Sequence, residues 1–293
     1  MSTLIVLVGL PACGKSTWAK NYKKLHPDTC IMSSDEIREE FFGNANDQSH
    51  NAEVFELMRT QTRKALDAGI DVIYDATNIN RKDRSSILSI CGTHHKMAIF
   101  FEVPVPICKE RNRKRERVVP DFVYDRMLRK FEIPIYGEGF DSIVYLNISG
   151  DYKISGDLLT YCMSNFDQKN PHHTKKLLAH CKDVENFLSP IEDINLLTAA
   201  RYHDIGKLFT QTFDESGIAH YYGHENYGAY YSLFIDYPPV VDKEKVAFYI
   251  NYHMLPFKWK NATDETRNKY NKIIGAQDMS YLLAFNTADM ASK

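Results

Sequence analysis

Gly9-Leu10-Pro11-Ala12-Cys13-Gly14-Lys15-Ser16, set directly behind the apolar run Leu4-Ile5-Val6-Leu7-Val8, decides how the first half of this chain folds. The octapeptide has the spacing G-x-x-x-x-G-K-[ST], and Lys15-Ser16-Thr17-Trp18-Ala19-Lys20 opens a helix behind it. A strand that feeds a glycine turn into a helix start presents free backbone N–H groups and the positive end of the helix dipole. Gly9 and Gly14 allow the backbone to approach phosphate, and Ala12, Cys13 and Thr17 are further nucleotide-binding positions. Lys15 would reach the β- and γ-phosphates of ATP, and the Ser16 hydroxyl would ligate Mg²⁺.

Outward from this loop, short β-rich runs at 3–8, 29–33, 71–77, 97–103 and 142–148 alternate with helical patterns. The helical patterns fall near 15–25, 35–41, 52–68, 81–91, 107–116 and 122–131. Continuous apolar strands separated by helices predict a parallel sheet covered on both faces. After Gly150 the alternation stops. From His172 onward no strand is expected, only amphipathic helical windows broken by Ser189-Pro190, Pro238-Pro239 and Pro256. The expected organisation is an α/β domain over 1–150, a linker over 151–170 and an all-α domain over 171–293. A length of 293 residues allows two domains that each bury a core.

Composition narrows the function classes. With 44% hydrophobic and 25% charged residues the chain is globular rather than disordered. The formal net charge of −2 excludes a basic coat, so any polynucleotide contact must come from a local patch. Six cysteines without a C-x-x-C pair point to a reducing compartment. No apolar run approaches the ~20 residues of a membrane helix. The opening apolar stretch lacks a basic lead and reads as a strand, not a signal peptide, so the expected address is the cytoplasm.

Asp35 follows the second expected strand and should project from the carboxyl edge of the sheet, where ligands bind. A carboxylate there would accept a proton from an attacking hydroxyl, with Arg38 three positions on to grip an acceptor phosphate. The same stretch also reads as a plain helix start, since Ser33 and Glu36 have capping-box spacing. Val72-Ile73-Tyr74-Asp75 is a strand ending in an acid, Walker-B-like or a simple strand-end turn. In Lys109-Glu110-Arg111-Asn112-Arg113-Lys114-Arg115-Glu116-Arg117 the helical expectation puts Arg111 and Arg115 on one face. Such a pair suits a lid over transferring phosphates or, equally, a solvated basic face.

Together these stretches resemble the phage-type 5′-polynucleotide kinases among the P-loop kinases. The matching pieces are 9–17, Ser-Ser-Asp-Glu-Ile-Arg at 33–38, Tyr-Asp-Ala-Thr-Asn-Ile-Asn at 74–80, and the lid run with its Val-Pro and Val-Val-Pro flanks at 103–120. The resemblance covers about the first 150 residues. It implies that Lys15 and Ser16 bind ATP and Mg²⁺, Asp35 is the general base and Arg38 holds the acceptor phosphate. Arg115, with Arg111 beside it, would be the lid arginine, Arg113 being the alternative.

The second half carries seven of the eleven histidines, between His172 and His253. His180, His203, His253 and Asp289 each continue the apolar stripe of an expected helix: Leu177, His180, Val184, Phe187 in one, Leu282, Phe285, Asp289 in another. Buried imidazoles and carboxylates need partners, and one divalent metal satisfies several at once. His-Asp-Ile-Gly-Lys (203–207), Leu-Leu-Ala-His (177–180), Gly-His-Glu-Asn-Tyr-Gly-Ala (223–229) and Ala-Asp-Met-Ala (288–291) make this half similar to the HD phosphohydrolase superfamily. The resemblance implies that His180, His203, Asp204 and Asp289 hold one metal and that His224 and His253 extend the site to a second. Asp278 and His220 are alternates, and Lys207 would steady a substrate phosphate or cap a helix. Mixed N and O ligands suit Mn, Fe, Co, Ni or Zn.

The expected function is a bifunctional end-healing enzyme. An ATP-dependent kinase would act on a 5′-OH, and a metal-dependent HD phosphoesterase on a 2′,3′-cyclic phosphate or related 3′ end. Its partners would be nucleic-acid ends, RNA in preference to DNA, and a ligase acting afterwards. The alternative is a nucleoside or nucleotide kinase fused to an HD nucleotidase.

Overall fold

Leu4 to Val8 are all buried, and the strand they form is the middle of a five-stranded sheet. The computed structural model describes residues 1–45, 47, 49–171, 174–259 and 262–293, so His172 and His173 lie outside the described residues. Contacts divide the chain into two units: Met1–Tyr124 with Pro134–Gly150, and Asp125–Ile133 with Asp151–Lys293.

In chain order the first unit is built from β1 (Thr3–Val8), α1 (Lys15–Leu25), β2 (Cys30–Ser33), α2 (Ser34–Phe42), α3 (Asn51–Asp67), β3 (Val72–Asp75), α4 (Arg81–Leu88), β4 (His95–Glu102), α5 (Val105–Arg113), the start of α6 (Asp121–Leu128) and β5 (Ser142–Asn147). The sheet order is β2-β3-β1-β4-β5 and every pairing is parallel. Leu4 registers with Val72 on one side and Lys96 on the other. β2 and β3 lie on one flank of β1 and β4 and β5 on the other, so the loop after β1 opens at the switch point where α/β sheets bind ligands. The expected strand at 3–8 and helix at 15–25 match to the residue.

The lid run differs from the expected helix at 107–116. α5 begins at Val105 and stops at Arg113, leaving Arg115 beyond its end, so Arg111 and Arg115 do not share a helical face. The Asn112 side chain ends the helix by bonding both backbone groups of Val119: Nδ2 donates to the carbonyl at 2.7 Å and Oδ1 accepts from the amide at 3.0 Å. An amide that turns its hydrogen bonds to a loop competes with the helical ladder.

The second unit is helical. The segment 151–170, expected as a linker, instead carries α7 (Gly156–Asn165), capped by Ser155 and packed on α8 (Leu177–Leu188) through buried Leu159 and Met163. Then follow α9 (Ile194–Tyr202), α10 (Lys207–Thr210), α11 (His224–Ser232), α12 (Lys243–Tyr252), α13 (Leu255–Lys258), α14 (Asp264–Ile274) and α15 (Ala276–Ala291). α8 packs on α9 and α15, and α12 on α9 and α11. Contrary to the expectation of no strand, β6 (Thr212–Phe213) and β7 (Ala219–His220) pair as a small antiparallel hairpin. Asp214 Oδ1 accepts from the amides of Ser216 and Ile218, and Gly217 supplies a φ of 76°. Two residues per strand leave no period in the sequence. The residues 125–133, expected in the first domain, belong here as well: Asn251 accepts from the Ile133 amide at 2.8 Å and donates to the Phe131 carbonyl at 2.9 Å. Among the described residues no helix is long and apolar enough to cross a membrane, and all six cysteines are free.

In the first unit Arg84 and Glu138 form a fully buried two-pronged pair, Nε to Oε2 at 2.7 Å and Nη2 to Oε1 at 2.6 Å, with Arg84 Nη1 donating to the Asn78 carbonyl. Removing one member leaves a buried charge uncompensated. Arg84→Ala is expected to cost about 3–5 kcal/mol, seen as a lowered urea midpoint for this unit; an unchanged midpoint would contradict the arrangement.

Candidate functional site

The loop after β1 has the conformation its glycines predict. Gly14, the residue before α1, has φ 106°, and Ala12 takes a left-handed φ of 59° although it carries a side chain. Such strain in a non-glycine residue is held only by its surroundings. Tyr124 Oη donates to the Pro11 carbonyl at 3.1 Å, and the Gly9 amide donates to the Thr77 carbonyl at 3.0 Å. Lys15 is buried, with Nζ donating to the carbonyls of Gly9 and Leu10 at 2.9 and 2.8 Å. Ser16 and Thr17 follow in the first turn of α1.

At the same sheet edge, β2 ends at Ser33, whose Oγ accepts from the Glu36 amide and so caps α2. The cap puts Asp35 in the first turn, so the helix-start reading holds while the carboxylate still stands at the carboxyl edge. Asp35 is half-exposed. Arg38 is buried: Nη1 donates to the Ser34 carbonyl at 3.1 Å and to Asp35 Oδ1 at 3.2 Å, and Nη2 to Asn51 Oδ1 at 2.7 Å. Its Nε is buried and donates to no acceptor among the described residues. Burial holds the Arg38 guanidinium below its usual value, against the pull of Asp35 and with a push from Arg117. Asp75 is buried at the end of β3, registered with Ser33.

Arg117, which sequence reasoning did not select, places Nη1 2.8 Å from Asp35 Oδ1. Arg111 instead donates to the Ile148 carbonyl at 3.3 Å. The only signal for Arg117 lies in Asn112, whose bonds to Val119 fold the run back.

In the second unit the structure brings all six expected side chains into one buried cluster. His180 Nε2 is 3.0 Å from Asp289 Oδ1 and 3.5 Å from Asp204 Oδ2. His203 Nε2 is 3.3 Å from Asp204 Oδ2, and His224 Nε2 is 3.1 Å from Asp204 Oδ1. The His253 ring centre lies 5.1 Å from that of His203 and 5.4 Å from that of His224. The ligand atoms of His180, His203 and Asp289 lie within 4.8 Å of one another, as do those of Asp204, His224 and His253.

Local structure aims these rings. His203 and His253 cap α9 and α12, where the last carbonyls lack helical partners, and His224 opens α11. Nδ1 of His203, His224 and His253 meets the carbonyls of Ala200, Tyr221 and Ile250 at 2.8, 2.9 and 2.7 Å. A donated Nδ1–H leaves the Nε2 lone pair facing the cluster, the arrangement found in metal-ligating histidines. Phe187, expected on the His180 stripe, is half-exposed, and Leu188 fills that position.

The cluster's electrostatics fit a cation. Burial disfavours the Asp204 charge, but Lys207 at 2.7 Å and His203 outweigh it and hold the carboxyl well below its usual range. Burial and the neighbouring His203 and His224 pull His253 down to about 3. Burial also opposes charge on His203, yet Asp204 overcomes it and lifts His203 well above its ordinary value. That proton answers the same negative field a divalent cation would answer. His203 Nε2 is buried without a hydrogen-bond partner among the described residues, which fits a ligand atom. Lys207 is buried against Asp204 and Gln168 Oε1 (2.9 Å), so it neither caps a helix nor faces solvent. The alternates lie elsewhere: Asp278 bonds Lys245 and Tyr249, and His220 bonds Asp214. Cys181, not selected from sequence, forms a further group with His203 and Asp204 within the same 4.8 Å.

Two glycines set the spacing. A Cβ on Gly206 would lie 1.9 Å from the His224 carbonyl oxygen, and one on Gly228 would lie 3.2 Å from the Gly206 amide nitrogen. The loop after His203-Asp204 thus touches the backbone of α11, which brings His224 to Asp204.

Comparison with known proteins places the first unit. Residues 4–134 match the family model described as an AAA domain, and the unit is a parallel-sheet α/β P-loop kinase fold. The chain is 31% identical to an L-seryl-tRNA(Sec) kinase of Methanococcus maripaludis, over 45% of this chain and 53% of that protein. It is 27% identical to a putative bifunctional polynucleotide phosphatase/kinase of Acanthamoeba polyphaga mimivirus, over 48% and 32%. It is 26% identical to the protein kti12 of Schizosaccharomyces pombe, over 50% and 58%. The chain thus spans about half of these relatives' length or less.

Gly206→Ala is expected to destabilise the second unit by about 1–3 kcal/mol or more, because backbone rather than a pliable side chain opposes the added methyl. Thermal unfolding checks it, and a melting temperature equal to that of the parent chain would contradict the close approach.

Proposed function

We propose that this chain heals broken nucleic-acid ends: an ATP-dependent 5′-OH polynucleotide kinase in the first unit and a metal-dependent HD phosphohydrolase in the second. The observation that carries the kinase half is Asp35, a half-exposed carboxylate at the carboxyl edge of the sheet, held by Arg38 beside a loop shaped for phosphate. In the reaction Asp35 takes the proton of the acceptor hydroxyl as its oxygen attacks the γ-phosphorus. The bond from the γ-phosphorus to the bridging oxygen breaks, and ADP leaves. Lys15 and the loop amides hold the β- and γ-phosphates, and Ser16 would hold Mg²⁺, which neutralises their charge.

In the second unit His180, His203 and Asp289 would hold one divalent ion of the Mn, Fe, Co, Ni or Zn kind, with Asp204 shared towards a second at His224 and His253. A bound ion of this kind supplies an activated water and polarises a phosphoryl oxygen. The chain's own part is to exclude solvent and fix the ring orientations. The substrate of this half is a phosphoester at a 3′ end such as a 2′,3′-cyclic phosphate. The phosphatase/kinase pairing in the mimivirus relative's name agrees in kind. The products would suit a ligase, and RNA in the cytoplasm is the substrate we favour. The 31% identity to the seryl-tRNA kinase favours a second reading, in which the acceptor hydroxyl is on a tRNA-borne group.

The test offers ATP, Mg²⁺ and Mn²⁺ with an RNA bearing a 5′-OH and a 2′,3′-cyclic phosphate, and both ends are analysed. Asp35→Ala is expected to lower 5′ labelling by about 10²–10⁴-fold and to leave 3′ clearing intact. Asp204→Ala is expected to abolish 3′ clearing and leave 5′ labelling intact. Loss of both activities from either change contradicts two separate sites. Labelling of a seryl-tRNA in place of the RNA end would establish the second reading.

A further inference from the structure

Two guanidiniums converge on one carboxylate oxygen in the first unit: Arg38 at 3.2 Å and Arg117 at 2.8 Å from Asp35 Oδ1. The two guanidiniums share one carboxylate oxygen, with Asp47 adding only a smaller pull on Arg38, and the two arginines repel each other, a repulsion that a further anion between them would relieve. Each also keeps donors in hand. Arg38 Nε is buried and has no acceptor among the described residues, in a side chain fixed by Ser34, Asn51 and the Phe55 ring 5.8 Å away. Arg117 meets Asp35 through Nη1, and a guanidinium carries five N–H groups in a fork that matches a phosphate. Arg117 stands outside the helix of the lid run, in the loop that Asn112 closes, and reaches Asp35 at the carboxyl edge of the sheet.

We propose that Arg117 is the second arm of an acceptor-phosphate subsite: with Arg38 it grips the phosphate on the 3′ side of the acceptor's terminal nucleoside. This rests on the kinase reading above and names what the site recognises in the acceptor. Asp35 takes the proton of the 5′ hydroxyl while the new bond to the γ-phosphorus forms and the bond from that phosphorus to the bridging oxygen of departing ADP breaks. An acceptor with a phosphate behind its sugar gains both arms. A bare nucleoside gains neither.

The experiment measures ATP-dependent phosphorylation of adenosine 3′-monophosphate and of adenosine by the full chain, its Arg117→Ala variant and its Arg117→Lys variant. With the parent chain, KM is expected to be lower for the monophosphate. Arg117→Ala is expected to raise that KM about tenfold or more, the loss of a charge-assisted contact. It should leave kcat, the KM for adenosine and the KM for ATP little changed, and Arg117→Lys should recover part of the loss. An unchanged KM for the monophosphate, an equal rise for both acceptors, or a fall in kcat alone would overturn the subsite while leaving the kinase standing. If the parent chain phosphorylates neither acceptor nor a 5′-OH oligonucleotide, the kinase reading falls and takes the subsite with it.

Discussion

The Asp204 carboxylate is the constraint on which the helical unit depends. It is almost fully buried, and a charge taken that far from water costs several kcal/mol unless it is answered on every side. Lys207 and His203 approach Oδ2 and His224 approaches Oδ1. These partners come from the end of α9, from α10 and from α11, so satisfying one carboxylate fixes three elements. His180 on α8 and Asp289 on α15 close the remaining side. Gly206 permits this convergence, since a methyl group there would lie 1.9 Å from the His224 carbonyl oxygen and push α11 from the loop that carries Asp204.

The first unit handles charge in the opposite way. Arg84–Glu138 is fully buried and fixed, whereas Asp35 is 49% exposed and Arg117 28%. Exposed pairs of that kind are worth about 0–1 kcal/mol, so little opposes their exchange for a substrate anion. The buried pair stabilises the scaffold and the exposed one is available for binding. The strained Ala12 backbone is held by Tyr124, which bonds the carbonyl of the preceding Pro11, and by the strand before the loop.

What was legible in the sequence is what short-range chemistry writes there. β1 and α1 were readable to the residue because apolar run, glycine turn and helix opener are contiguous. Four of the six ligand-type residues, His180, His203, His253 and Asp289, are readable because each continues an apolar stripe, whereas Asp204 and His224 are legible only through the motifs that carry the resemblance. The illegible features depend on side chains reaching across loops. Asn112 ends α5 seven residues before the backbone it bonds, so Arg115 leaves the expected face and Arg117 arrives at Asp35 unannounced. The polar look of 151–170 hid α7, whose exposed face includes Leu158 and Tyr161 while Leu159 and Met163 are buried. The hairpin of β6 and β7 is too short for periodicity, and 125–133 joins the helical unit through Asn251, a partner more than a hundred residues away.

The central claim is that six buried side chains form a seat for divalent cations, and diffraction tests it most directly. Crystals grown with Mn²⁺ and measured on both sides of its absorption edge should show anomalous density between Nε2 of His180, Nε2 of His203 and the Asp289 carboxylate. Helices in place with no anomalous density there, and imidazoles bonded only to the carboxylates, would contradict the account.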